Sequence, residues 1–74
     1  MENKEIKMAF DTIEPEVVLN NMHIFNIKVE AIQPERNGNY FMVYRGKYSD
    51  MEKLYNRFYN NGDSFLEYRN NTGQ

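Results

Sequence analysis

The sequence predicts an α+β fold, a small antiparallel sheet packed by one amphipathic C-terminal helix. Three observations predict it. Apolar residues alternate with period two over 5–10 and again over 23–32. An Asn37-Gly38 pair, a strong short-range hairpin signal, follows the second of these segments. From Met51 the period changes, and Met51, Leu54, Tyr55 and Phe58 recur at i, i+3, i+4 and i+7. Seventy-four residues make one domain, expected over 1–70 with a frayed tail at 71–74. A chain this short buries only about 60% of its unfolded surface, so its stability margin is thin.

Residues 5–10, EIKMAF, put Ile6, Met8 and Phe10 on one side of a strand and Lys7 and Ala9 on the other. Residues 11–22 break the alternation. Asp11 or Thr12 can cap a short helical turn there, Pro15 suits a first turn, and Asn20-Asn21 reads as a stop. Residues 23–32 form the clearest strand, with Phe25, Ile27, Val29 and Ala31 on one face and Asn26, Lys28 and Glu30 on the other.

If Asn37 and Gly38 alone make a type I′ turn, Arg36 faces Asn39 and the register follows. Ala31 then meets Tyr44, Val29 meets Gly46, and Ile27 meets Tyr48. Glu30 meets Arg45, Ile32 meets Val43, and only Lys28 opposite Lys47 is unfavourable. A five- or six-residue loop around Pro34 would change these pairs. The returning strand, 40–48, turns Tyr40, Met42, Tyr44 and Tyr48 inward and Phe41, Val43, Arg45 and Lys47 outward. Ser49 or Asp50 is expected to cap the helix that follows, and the Asn-Asn-Gly at 60–62 to stop it. Residues 64–69 admit a second short helix or a strand. Ser64 with Glu67 makes a capping box, which tips the reading to helix.

GKYSDMEKL, residues 46–54, resembles the strand-to-helix entry of the phox-homology lipid-binding family, an Arg-Arg-Tyr-Ser-Asp-Phe-type motif. In that family the first arginine holds the lipid phosphate. Gly46 stands at that place here, and the match covers nine residues, so no lipid-binding role is carried over.

Several chemistries lack their residues. With no cysteine there is no disulfide, no thiolate metal site and no cysteine nucleophile. His23 is the single histidine, expected at a strand start on the inner face, and no zinc or phosphate-loop motif accompanies it. Glu14 and Glu16 flank a proline as solvated acids, and Ser49 and Ser64 serve as caps rather than nucleophiles. We therefore expect no enzyme, no cofactor and no metal. The N-terminus has charge throughout, and the longest apolar runs are about five residues, against about 20 for a membrane span. No membrane association and a cytoplasmic location are expected. Eleven asparagines, with many Lys, Ile, Tyr and Phe, have AT-rich codons, which points to a low-GC bacterium, its phage or its plasmid.

The aromatic content raises the functional question. Seven of the eleven aromatic rings lie between Asn39 and Tyr59. One sheet-on-helix layer is filled by the stripes named above. Ile32, Tyr40, Phe41, Val43, Tyr59, Phe65, Leu66 and Tyr68 are left over. Contiguous apolar surface marks interaction sites, and tyrosine is enriched at interfaces. The expected function is thus a small protein-binding module, acting as a homodimer or as an inhibitor or adaptor of a larger host protein. The contact would be an aromatic sheet face or a strand edge. Ile32, Tyr40, Phe41, Val43, Arg45, Tyr59 and Tyr68 are the candidate binding residues. The alternative is a single-stranded nucleic-acid binder using Arg45, Lys47, Arg57 and Arg69 beside the tyrosines. The net charge of −2 weighs against it.

Overall fold

The structure, a computed structural model, describes residues 3–72. The chain runs through β1 (Glu5–Thr12), α1 (Pro15–Asn20), a 3-10 turn (Met22–Ile24), β2 (Ile27–Pro34) and β3 (Tyr40–Lys47). It continues through α2 (Tyr48–Leu54), a π-helical turn (Tyr55–Tyr59) and α3 (Phe65–Thr72). The three strands form one antiparallel sheet in the order β1-β3-β2, with β3 central. The fold is α+β as expected, and residues 65–72 are helix rather than strand. Among the described residues no helix is long and apolar enough to cross a membrane.

Met8, Phe10 and Thr12 of β1 lie beside Met42 and Tyr44 of β3, and all are buried. Met51, Leu54 and Tyr55 cover them from the helical side, each fully buried, so the expected helix stripe is real. Alternation puts Gly46 on the same inner face, where β2 passes too close for a side chain. A Cβ there would stand 3.0 Å from Ile27 Cγ1 and 3.2 Å from the Asn26 carbonyl oxygen.

The hairpin differs from expectation at its turn. Gly38 N–H donates to the Glu35 carbonyl (3.2 Å), and Glu35 N–H donates to the Asn39 carbonyl (2.9 Å). The loop is therefore Arg36-Asn37-Gly38, a type I turn completed by Gly38 at φ +88°. Among the described residues only glycines have positive φ, so Asn37 does not take the left-handed conformation that a type I′ turn needs. Asn37 instead accepts the Asn39 N–H on its side chain (2.9 Å).

One extra loop residue slips the register. Ala31 pairs with Val43 and Ile32 with Met42. A bulge between Val29 and Ala31 slips it once more, so that Val29 pairs with Tyr44 and Ile27 with Gly46. The two slips cancel in parity. Ile27 and Val29 stay inward as expected, whereas Ala31 and Ile32 exchange faces.

Three further expectations are corrected. His23 is an exposed residue of the 3-10 turn, not a strand residue, because the strand begins only at Ile27. Tyr48 opens α2 instead of ending β3, and its ring packs edge-on to Phe65 at 5.1 Å. The start of α2 is capped neither by Ser49 nor by Asp50. Asn3 Oδ1 accepts the Ser49 N–H (2.9 Å), and the Lys4 carbonyl accepts the Tyr48 N–H (2.8 Å). A distant segment thus satisfies donors that sequence assigns to local caps. The capping box at α3 forms as expected. Glu67 N–H donates to Ser64 Oγ (3.2 Å), and Ser64 N–H to Glu67 Oε1 (3.3 Å). Helix α3 runs on to Thr72, and residues 73–74 of the tail lie outside the described residues.

Candidate functional site: the open sheet face

Among the described residues every helix that packs on the sheet lies on its Met42–Tyr44 side, and none of them covers the other face. Strand alternation places Glu5, Lys7, Ala9 and Asp11 of β1 there, with Phe41, Val43, Arg45 and Lys47 of β3. From β2 come Lys28, Ala31 and Gln33, with Glu30 at the bulge. Ala9, Val43 and Ala31 stand side by side as one apolar row across all three strands. Phe41, 38% exposed, occupies the next row between Asp11 and Gln33.

Charge flanks this centre unevenly. On one side Arg45 Nε reaches Glu30 Oε2 (3.2 Å), Arg45 Nη1 reaches Glu5 Oε1 (3.6 Å), and Lys7 Nζ reaches Glu30 Oε1 (3.7 Å). The Arg45 hydrogen bond holds the Glu30 carboxyl below its ordinary pKa despite partial desolvation. The same partner raises Arg45. The bulge at Glu30 makes this possible by giving β2 an extra residue over Arg45. The expected Glu30–Arg45 contact therefore forms although the expected register does not.

On the other side Asp11 and Glu35 bring two carboxyls together, with Asn39 Nδ2 donating to Asp11 Oδ2 (3.3 Å). Glu35 Oε2 is shielded from solvent without a hydrogen-bond partner. Glu35 is pushed above its ordinary value of 4.5, first by the hydrogen bond it shares with Asp11, then by desolvation and by the Asp11 charge. A proton that the folded state holds more tightly stabilises the fold at low pH, and this stabilisation is lost as pH climbs from about 4.5 through the raised value. Glu35→Gln should therefore melt higher than the wild type at pH 7, with a flatter dependence of Tm on pH above 4.5. Thermal melts at pH 4.5 and 7 check this, and equal slopes for the two proteins would refute it.

The candidate residues divide. Phe41, Val43 and Arg45 share the open face. Ile32, 41% exposed, lies on the β2 edge toward the helices because it pairs with Met42. Tyr40 is half-buried on the inner face. Tyr59 and Tyr68 pack on the core, where their rings stack on Phe10 at 4.3 and 5.4 Å. Sequence reading put Lys7 and Ala9 on the outer side of β1 without joining them to the candidate surface, and it missed Asp11 and Ala31. Only the register brings them to Val43. It also missed a shallow, mostly apolar cleft of about 330 Å³ lined by Ile13, Val17, Val18, Phe58 and Tyr59, with Asp11, Thr12 and Glu14 beside them. Ile13 there is 74% exposed, and the two adjacent valines in a short helix were its one sequence signal.

Among the described residues no group of three or more His, Asp or Glu side chains is placed to hold a metal ion. Comparison with protein-family models, with curated proteins and with solved structures finds no match.

Proposed function

We propose that this chain is a small non-enzymatic protein-binding module whose contact surface is the open sheet face. One observation carries the reading. Among the described residues the packing elements all lie on one side of the sheet, so Phe41, Val43 and Ala31 form an apolar strip that no described element covers. Such a strip rimmed by charge has the make-up of a docking surface. The nucleic-acid alternative has weaker support. Arg45 and Lys47 stand on the open face, but Arg57 lies over the Phe58 ring (5.4 Å). Arg69 lies over Tyr48 and Phe65 (5.4 and 5.9 Å), on the helical side. The cations that would track a phosphate backbone are split between faces and partly engaged by carboxylates.

A photo-crosslinking side chain placed at Val43, with a control at the exposed helix position Glu52, tests the reading in cells that express the chain. Cross-links to a protein chain are expected from position 43 and not from position 52. Equal yields, or none from 43, would defeat the proposal.

A further inference from the structure

We propose that the open face docks onto the same face of a second copy of this chain, about a two-fold axis lying along the Ala9–Val43–Ala31 row. The inference rests on the open face being a docking surface, and it names the occupant. A two-fold interface must be self-complementary, so that whatever residue i meets, its partner residue meets i. Stacking two identical sheet faces requires the axis to lie in the plane between them. An axis across the strands keeps each strand over its own copy while reversing its direction. Residues one row to either side of the Ala9–Val43–Ala31 row then exchange places across the interface.

The register makes those exchanges favourable one by one. Lys7 and Asp11 flank Ala9 on β1, so each Lys7 stands over the Asp11 of the other copy, twice. Arg45 and Phe41 flank Val43 on β3, so each guanidinium lies over a phenyl ring. On β2 Lys28 stands in the Arg45 row and Gln33 in the Phe41 row, so a cation meets a neutral amide and no like charges meet there. The wider pattern agrees. On one side of the axis the face carries Glu5, Lys7, Lys28, Glu30, Arg45 and Lys47, four cations against two carboxylates. On the other side the strands and the residues flanking the turn carry Asp11 and Glu35, with Arg36 in the loop beyond. The alternative axis, along the strands, would set the cationic side on itself. The axial row is made of small side chains, Ala9, Ala31 and Val43, which lets the sheets reach the usual spacing of about 10 Å. A face three strands wide and about five residues long buries under about 1,200 Å² in total, so the dimer is weak and salt-sensitive.

Sedimentation of the full chain from about 10 µM to 1 mM spans the affinities expected of an interface this small. A monomer–dimer equilibrium that weakens with salt is expected. Lys7→Glu sets Glu over Asp11 twice, and Asp11→Lys sets Lys over Lys7 twice. Each variant alone should dimerise about tenfold more weakly. An equimolar mixture of the two restores both pairs and should recover a heterodimer of wild-type affinity. The double variant Lys7→Glu/Asp11→Lys should recover the homodimer, which covers the case in which one single variant folds poorly. A wild type that stays monomeric at the highest concentration, or a mixture that fails to recover, overturns the proposal. The Val43 cross-linker separates the two levels. A monomer that cross-links a different protein from position 43 removes self-association and leaves the docking surface. A monomer that cross-links nothing removes both.

Discussion

Phe10→Ala is expected to cost the fold about 3–5 kcal/mol, the largest loss from any one side chain of the ring cluster. Four rings surround Phe10: Tyr59 stacked at 4.3 Å, Tyr68 at 5.4 Å, Tyr44 at 6.0 Å and Tyr55 at 6.4 Å. They come from β3 (Tyr44), the π-helical turn (Tyr55 and Tyr59) and α3 (Tyr68), so this one side chain joins the sheet to both C-terminal helical segments. Removing a buried Phe side chain costs about 3–5 kcal/mol through lost transfer and the residual cavity. A 74-residue domain has roughly 4–11 kcal/mol in all, at about 0.05–0.15 kcal/mol per residue. The loss therefore takes from about a quarter to all of the margin. Phe10→Leu retains most of the volume and should cost less. Urea denaturation followed by far-UV circular dichroism measures both. A Phe10→Ala midpoint within about 1 kcal/mol of wild type would show that the ring cluster does not hold the layers together.

The parts of this fold that were legible in sequence are those governed by local periodicity. The alternation of Ile6, Met8 and Phe10 and the stripe of Met51, Leu54 and Tyr55 are burial patterns that no distant contact had to complete. The capping box of Ser64 and Glu67 is local in the same sense. What was not legible depends on where distant chain segments meet. Asn3 caps α2 from 46 residues away. One added loop residue beside Asn37-Gly38 and one bulge at Glu30 each move the register, and neither has a unique sequence sign. Because the two single slips cancel in parity, Ile27 and Val29 still face the core.

The candidate face was half legible for the same reason. Phe41 and Val43 belong to the strand whose inner residues, Met42 and Tyr44, are fixed by burial, so their outward direction followed from alternation alone. Tyr59 and Tyr68 were misassigned as surplus because sequence gave no sign of the π-helical turn. Widening the helix there turns Tyr59 back over Phe10, and α3 then closes Tyr68 on the same ring. Most of the apparent excess of rings is thus interior, and of the left-over residues Phe41, Ile32 and Leu66 remain exposed, with Phe41 beside Val43 on the open face.

Tyr59→Phe is expected to destabilise the fold more than Tyr44→Phe, and the double variant less than the sum of the two. The Tyr59 hydroxyl lies 2.8 Å from Thr12 Oγ1 and 2.6 Å from the Tyr44 hydroxyl, which also donates to Met42 Sδ at 3.3 Å. A consistent set of donors runs from Thr12 to Tyr59 to Tyr44 to the sulfur. Tyr59 is the middle member. Its loss leaves Thr12 with only its own strand's Phe10 carbonyl (3.3 Å) and Tyr44 with only the sulfur, at a cost of about 1–3 kcal/mol. Loss of Tyr44 leaves Tyr59 bonded to Thr12 and should cost less. With both hydroxyls gone, fewer buried groups are left unsatisfied than the single variants imply, so the cycle is non-additive.

The same chain sets the alkaline limit of the fold. Burial is the main cause that pushes both phenols above their ordinary value of 10.0. In the unfolded chain they ionise near that value, whereas the folded protein keeps their protons. Stability contributed by these two groups is therefore complete below pH 10 and falls as pH rises beyond it. Wild type should open cooperatively above pH 10, with tyrosinate absorbance at these two rings appearing together with loss of circular dichroism. In Tyr44→Phe/Tyr59→Phe the decline should be shallower. A double variant with the same alkaline slope as wild type would place the titrating groups elsewhere in the molecule.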